Sequence, residues 1–174
     1  MKHYLLILVS LFIMNTTLSQ SFYDLSIQSI DDQTIEMSDF KGKHILIVNV
    51  ASYCGYTSQY SELQELSEKH KDNLVVLAVP CNQFGSQEPG KPIEIKTFCE
   101  SKFNITFPIT EKVNVKGDSQ HPLYNWLTSK VKNGLDDYKV SWNFNKFLID
   151  PKGNLISYFK SGVSPLDDDI TSKL

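Results

Sequence analysis

Apolar residues fall into a few compact runs along this chain. One of them is Ile45-Leu46-Ile47-Val48-Asn49-Val50-Ala51, rich in β-branched side chains. A run of that kind, without polar alternation, is the pattern of a strand buried on both faces. Directly after it, Ser58 to His70 reads as a helix. Tyr60, Leu63 and Leu66 sit at helical spacing, Glu62, Glu65 and Glu68 lie between them, and Thr57 or Ser58 is placed to cap the start. Leu74 to Pro80 repeats the buried-strand pattern. Two such strands joined by a helix form a βαβ unit, with parallel pairing and a right-handed crossover.

The remaining segments read more simply. Ser21 to Ile30 and Gln33 to Met37 suggest a hairpin turning at Asp31-Asp32, and Ser38 to Lys43 a loop or single helical turn. Cys81 to Lys91 is a polar loop. Pro92 opens a helix to about Lys102, with Ile95, Phe98 and Cys99 facing inward. Asn104 to Val115 is irregular and leads to a short strand. His121-Pro122 begins a helix with Leu123, Trp126, Leu127 and Val131 on one face, stopped by Asn133-Gly134. Ser141 to Asp150 reads as a strand, Asp150 to Gly153 as a turn, and Leu155 to Lys160 as the antiparallel partner. Ser164-Pro165 caps a final helix, and Asp167, Asp168 and Asp169 form its solvated first turn. The order predicts an α/β fold: a central mixed β-sheet flanked by helices, compatible with a thioredoxin-like fold, in one domain over residues 20–174.

The first residues read differently. Met1-Lys2-His3 precedes the apolar run Tyr4 to Met14, and Asn15 to Ser19 is small and polar. This is the layout of a secretory signal peptide over residues 1–19, with an apolar stretch short for a membrane span. The chain is expected to be exported, periplasmic or secreted, without stable membrane insertion.

Composition adds two exclusions. The formal charge is -3, so a nucleic-acid-binding surface is not expected. All 17 basic residues are lysines. Arginine is the usual residue for gripping carboxylates in bidentate fashion, so a pocket clamping a small dicarboxylate is disfavoured.

Cysteine is the residue that directs attention to chemistry. There are three, Cys54, Cys81 and Cys99, and no C-x-x-C pair. An odd number in an exported chain points to a free reactive thiol or an exchanging pair. Cys54 falls at the exit of the first buried strand, just before a helix. Ligand sites of open α/β sheets lie at the carboxyl ends of strands. A helix N-terminus offers free N–H groups that favour thiolate, the nucleophilic form. A lone cysteine is otherwise more often packing than chemistry. The four histidines, His3, His44, His70 and His121, do not cluster with cysteines at metal-ligand spacing, so neither metal nor other cofactor is expected.

Three motifs then carry a resemblance. They are Asn49-Val50-Ala51-Ser52-Tyr53-Cys54-Gly55-Tyr56-Thr57, then Pro80-Cys81-Asn82-Gln83-Phe84-Gly85 with Gln87-Glu88-Pro89-Gly90, and Trp142-Asn143-Phe144-Asn145-Lys146-Phe147-Leu148-Ile149. In order and spacing they resemble the glutathione peroxidase family in its cysteine-containing form, over essentially the whole chain after residue 19. The resemblance implies a thioredoxin fold and a catalytic tetrad of Cys54, Gln83, Trp142 and Asn143. It implies a thiol peroxidase that reduces hydrogen peroxide and organic or lipid hydroperoxides in the response to oxidative stress. The chemistry suits those residues. Peroxide reduction needs a thiolate to attack one oxygen while the other leaves as an anion. Gln83, Trp142 and Asn143 are uncharged N–H donors, able to stabilise that negative charge without titrating. Taken singly, Gln83 reads as a loop cap, Trp142 as a core aromatic and Asn143 as a turn residue.

Attack converts Cys54 to a sulfenic acid, which condenses with a second thiol. Phe98-Cys99-Glu100-Ser101-Lys102-Phe103 resembles the resolving-cysteine helix of thioredoxin-dependent family members, which implies a Cys54–Cys99 disulfide. Cys81 is the second choice. A buried helix cysteine and a structural Cys81–Cys99 bridge are the plain alternatives. The segment between Leu127 and Lys139 is short, and arginine is absent. Both features resemble monomeric or dimeric members reduced by a thioredoxin-like protein more than tetramers that use glutathione. A different role for the same chemistry is a redox relay or sensor that passes its disulfide to a client protein.

Overall fold

The computed structural model describes residues 20–174. The expected signal peptide lies outside them. Among the described residues, no helix is long and apolar enough to cross a membrane.

A short hairpin leads the fold. Strands β1 (Ser26–Gln28) and β2 (Thr34–Glu36) pair antiparallel, with single 3-10 turns before β1 and after β2. The main sheet has four strands in the order β4-β3-β5-β6. β3 (His44–Val50) and β4 (Leu74–Pro80) run parallel, joined by helix α1 (Gln59–Lys69). β5 (Lys146–Ile149) pairs antiparallel with β3, and β6 (Leu155–Phe159) antiparallel with β5. Helix α2 (Pro92–Phe103) follows β4. The short helices α3 (Pro122–Thr128) and α4 (Lys130–Asn133) precede β5, and α5 (Asp168–Thr171) closes the chain. This is the expected mixed sheet flanked by helices.

The apolar run at 45–50 is continuous because both faces of β3 are covered. Leu46, Val48 and Val50 join Tyr60, Leu63, Leu66, Ile95 and Ile170 in one core. Ile45 and Ile47 join Phe22, Leu123, Tyr124 and Leu127 in the other. Side chains alternate across a strand, so each core takes every second residue.

Four expectations are corrected. The short strand after Val115 does not form, because the Gln83 side-chain oxygen takes the amide protons of Val115 and Lys116. Pairing in that region is limited to single bridges at Ile109 and Thr110. The helix from Pro122 breaks at Ser129, where φ is -110° and ψ 116°. The Asn133 side chain donates to the Leu127 carbonyl, and Val131 is left 87% exposed instead of facing the core. Residues 141–145 curl instead of extending, with Phe144 at a φ of 62°, so β5 begins only at Lys146. The final helix starts at Asp168 with Asp167 as its cap, and Ser164 instead closes a turn to the Leu166 amide.

Lys146 is fully buried, and its ammonium donates to the Phe144 carbonyl at 2.9 Å. Burial pulls its pKa down from 10.5 to about 7, against the opposing pull of the Glu62 carboxylate. Between those values the unfolded chain holds more protons than the folded one, so this lysine makes stability rise with pH. Lys146→Met removes the contribution. Urea titrations of both proteins should show wild type gaining stability relative to the variant as pH rises from about 7 towards about 10. A gap that does not change with pH would contradict the burial argument.

Candidate active site

Sheet topology brings the three motifs to one edge. β3 and β4 are parallel, so their carboxyl ends, leading to Cys54 and Gln83, lie side by side. β5 runs the other way, so the segment preceding it, with Trp142 and Asn143, arrives at the same edge.

Cys54 sits in the turn between β3 and α1 and is 9% exposed. Its amide donates to the Thr57 hydroxyl at 3.0 Å, which in turn donates to the Ala51 carbonyl at 2.9 Å. The Thr57 amide returns to the Cys54 carbonyl at 3.1 Å. Thr57 therefore closes the turn around the cysteine, while Ser58, at the start of α1, makes no side-chain cap. The Tyr56 amide donates to the Cys54 sulfur at 3.5 Å.

Asn49 fastens the third motif to the first. Its side-chain amide donates to the Trp142 carbonyl at 2.9 Å, and its side-chain oxygen accepts from the Asn145 amide at 3.1 Å. Gln87 joins the other two. Its carbonyl accepts from the Tyr53 amide at 3.0 Å, and its side-chain oxygen accepts from the Asn143 side chain at 3.0 Å.

The expected donors are differently engaged. The Gln83 amide nitrogen donates to the Lys116 carbonyl at 2.9 Å, so this side chain is committed to the 115–116 loop. Trp142 is 39% exposed and packs on Phe84 at 5.9 Å between ring centroids. Asn143 is fully buried, and its side-chain oxygen has no hydrogen-bond partner. No hydrogen bond links Gln83, Trp142 or Asn143 to the Cys54 sulfur. The edge collects the four residues without closing them on the thiol.

All three cysteines are free and buried. Cys54 and Cys99 belong to the same apolar core, which includes α1 and α2 residues. Cys81 belongs to the other core, beside Leu123 and Tyr124. Burial pushes the Cys99 thiol up to about 11, with the Tyr60 hydroxyl beside it pulling the other way. Burial also raises the Cys81 thiol, partly offset by the Gln83 and Val115 amides. Among the described residues, no group of three or more metal-ligating side chains gathers.

Sequence reasoning gave Asn49 and Gln87 no role of their own within the motifs and read Thr57 as a helix cap, not as the residue that closes the cysteine turn. Asn49 had one available signal, a lone amide in an apolar strand, which requires hydrogen-bond partners once buried. Thr57→Val keeps shape and removes both hydroxyl bonds, leaving the buried Cys54 amide without an acceptor. Its expected cost is about 1–3 kcal/mol in chemical denaturation. A loss well below that range would mean the turn is held by other contacts.

The model of the glutathione peroxidase family matches residues 22–128. Glutathione peroxidase-like peroxiredoxin 2 of Saccharomyces cerevisiae is 45% identical over 161 residues, spanning 90% of this chain and 99% of the relative. The crystal structure of T. cruzi GPX1 superposes with a TM-score of 0.69 at 34% identity, covering 89% of this chain and 94% of that one. A thioredoxin family protein of Chlorobium tepidum TLS, at 16% identity, shares the fold alone, with a TM-score of 0.61 over 86% of this chain and 91% of that one. With a thioredoxin-like sheet carrying the three motifs to one edge, and a relative alike from end to end, the chain belongs to the glutathione peroxidase family and is a peroxidase, an oxidoreductase acting on peroxide.

Proposed function

We propose that Cys54 is the peroxidatic cysteine of this thiol peroxidase and Cys99 its resolving partner. The Cys54 thiolate attacks one peroxide oxygen and the O–O bond breaks. The sulfur becomes a sulfenic acid, and the departing oxygen takes a proton to leave as water or an alcohol. The free indole N–H of Trp142 is the donor open to that oxygen. Gln83 joins it by releasing the Lys116 carbonyl or by using its second N–H, and Asn143 by using an N–H turned from Gln87.

One observation carries the choice of Cys99. It shares a core with Cys54, while Cys81 lies across the sheet. The rings of Tyr53 and Phe98, each the residue before one of these cysteines, pack 6.3 Å apart. Ile95 and Cys99 are the only fully buried residues of α2, with Phe98 and Phe103 half-buried against the same core. Each buried apolar side chain of this size holds about 1.5–3 kcal/mol, so local unwinding of α2 is within reach of thermal opening. That motion would bring the sulfurs to bonding distance.

The disulfide is then reduced by a thioredoxin-like protein, with glutathione as the weaker reading. Lysine-only basicity and the short segment before Lys139 support that choice and a monomeric or dimeric state. The signal-peptide layout of residues 1–19 supports an exported compartment for the working enzyme. Hydrogen peroxide and organic or lipid hydroperoxides are its substrates.

The test is peroxide-dependent NADPH oxidation, run with a thioredoxin and thioredoxin reductase couple and separately with glutathione and glutathione reductase. Cys54→Ser should abolish turnover in both. Cys99→Ser should lose the thioredoxin-driven rate while still consuming one equivalent of peroxide. Cys81→Ser should stay near the wild-type rate. Thioredoxin-driven turnover that survives Cys99→Ser and fails in Cys81→Ser would overturn the assignment.

A further inference from the structure

Ser161 lies in the turn after β6, outside the three motifs, and is buried. Its hydroxyl donates to the Asn143 carbonyl at 2.6 Å. The same oxygen accepts from the Asn145 side-chain amide at 2.9 Å. That amide is itself oriented, because its oxygen accepts from the Ser141 backbone amide at 2.9 Å and from the Tyr158 hydroxyl at 3.0 Å. A hydroxyl has one proton to give. With Asn145 donating to it, Ser161 directs that proton at Asn143. The Ser161 backbone carbonyl accepts from the Gln59 side chain at 2.8 Å. Gln59 is the first residue of α1, the helix that follows the Cys54 turn. One serine thus joins the start of that helix to the segment carrying Asn143.

The peptide unit between Asn143 and Phe144 gives this bond its importance. Its carbonyl takes the Ser161 proton, and its N–H donates to the Asn49 carbonyl. In a trans peptide these two groups point to opposite sides, so the plane is pinned at both edges. Phe144 has a φ of 62°, a conformation that persists only where the surroundings impose it. Rotating the plane changes ψ of Asn143 and φ of Phe144 together. Relief of the strain at Phe144 would therefore re-aim Asn143. The flanking carbonyls are held separately, that of Trp142 by the Asn49 side chain and that of Phe144 by the Lys146 ammonium, both at 2.9 Å. The middle carbonyl falls to Ser161.

The Asn143 side chain depends on that backbone setting. It is fully buried, it reaches the Gln87 side chain through one N–H at 3.0 Å, and its own oxygen has no partner. A side chain held at one end takes its direction from the backbone beneath it.

We propose that Ser161 is a positioning residue for Asn143, holding it at a fixed setting relative to Cys54. The proposal rests on the reading of Asn143 as a donor to the departing peroxide oxygen. Ser161 acts through Asn143, so loss of its hydroxyl is felt in the oxidation of Cys54, the step in which that oxygen leaves.

A double-mutant cycle on that step tests the assignment. Reduced protein is mixed with hydrogen peroxide and quenched at short times with an alkylating agent, and the Cys54 still reduced is counted by mass spectrometry. Asn143→Ala should slow oxidation about a hundredfold. Ser161→Ala keeps the donor but misplaces it, and should slow oxidation about tenfold. In the Asn143→Ala background the same change should cost less than about twofold, because the group it positions is gone. Ser161→Thr retains the hydroxyl and should keep most of the wild-type rate, while Ser161→Val, of similar shape, should fall with Ser161→Ala. The Thr and Val variants, compared at equal fractions folded in urea titrations, carry the test where Ser161→Ala weakens the fold. A wild-type rate in Ser161→Ala, equal rates in the Thr and Val variants, or the same loss with and without the Asn143 side chain would overturn the proposal. A wild-type rate in Asn143→Ala would instead overturn the reading of Asn143 as a donor, and the role of Ser161 with it.

Discussion

The side chain of Asn49 is the joint on which the site depends. It is a fully buried amide near the end of the central strand, and both of its ends are committed to the segment before β5. Without those two bonds, a Trp142 carbonyl and an Asn145 amide would be stranded beside an apolar core. Leaving buried polar groups unpaired costs about 1–3 kcal/mol each, so the segment is held where it is by necessity. Gln87 continues the same arrangement outward. Its backbone holds the cysteine turn and its side chain holds Asn143. The sheet supplies the common edge, and two amide side chains fix what stands on it.

This division explains what could be read in advance. The sheet was legible because its strands are long apolar runs, and the βαβ unit at 44–80 leaves little choice of topology. Cys54 at a strand exit followed directly from that pattern. The convergence with Trp142 depends on antiparallel pairing of β3 and β5, which a period-two pattern does not announce. The reading of 141–150 as one strand failed at Phe144, whose left-handed backbone has no sequence mark comparable to a glycine. Val131 failed for a related reason. Helical spacing assumed a continuous helix, and the Asn133 side chain ended it. The state of the donors was equally hidden. That Gln83 serves the 115–116 loop follows from a contact 33 residues away, not from local pattern.

The two thiols on one side of the sheet are in contrasting settings. Cys54 is in a tight turn with the Tyr56 amide on its sulfur, braced by Thr57. Cys99 is in the interior of helix α2, buried in the core that also holds Tyr60. The first position suits a sulfur that must be presented in a fixed orientation. The second suits one that stays silent until its helix moves. A cavity of about 410 Å³, with Ser52 and Tyr53 on one side and Ile95 and Phe98 of α2 on the other, makes that motion less costly, because fewer packed contacts must be broken to open it.

The sheet between Cys81 and Cys99 has a further consequence. Four hydrogen-bonded strands with apolar layers on both faces insulate one thiol from the other. Cys81 is nonetheless tied to the site edge, because its sulfur accepts from the Gln83 amide at 3.4 Å, so a change at Cys81 reaches the second motif from the far face.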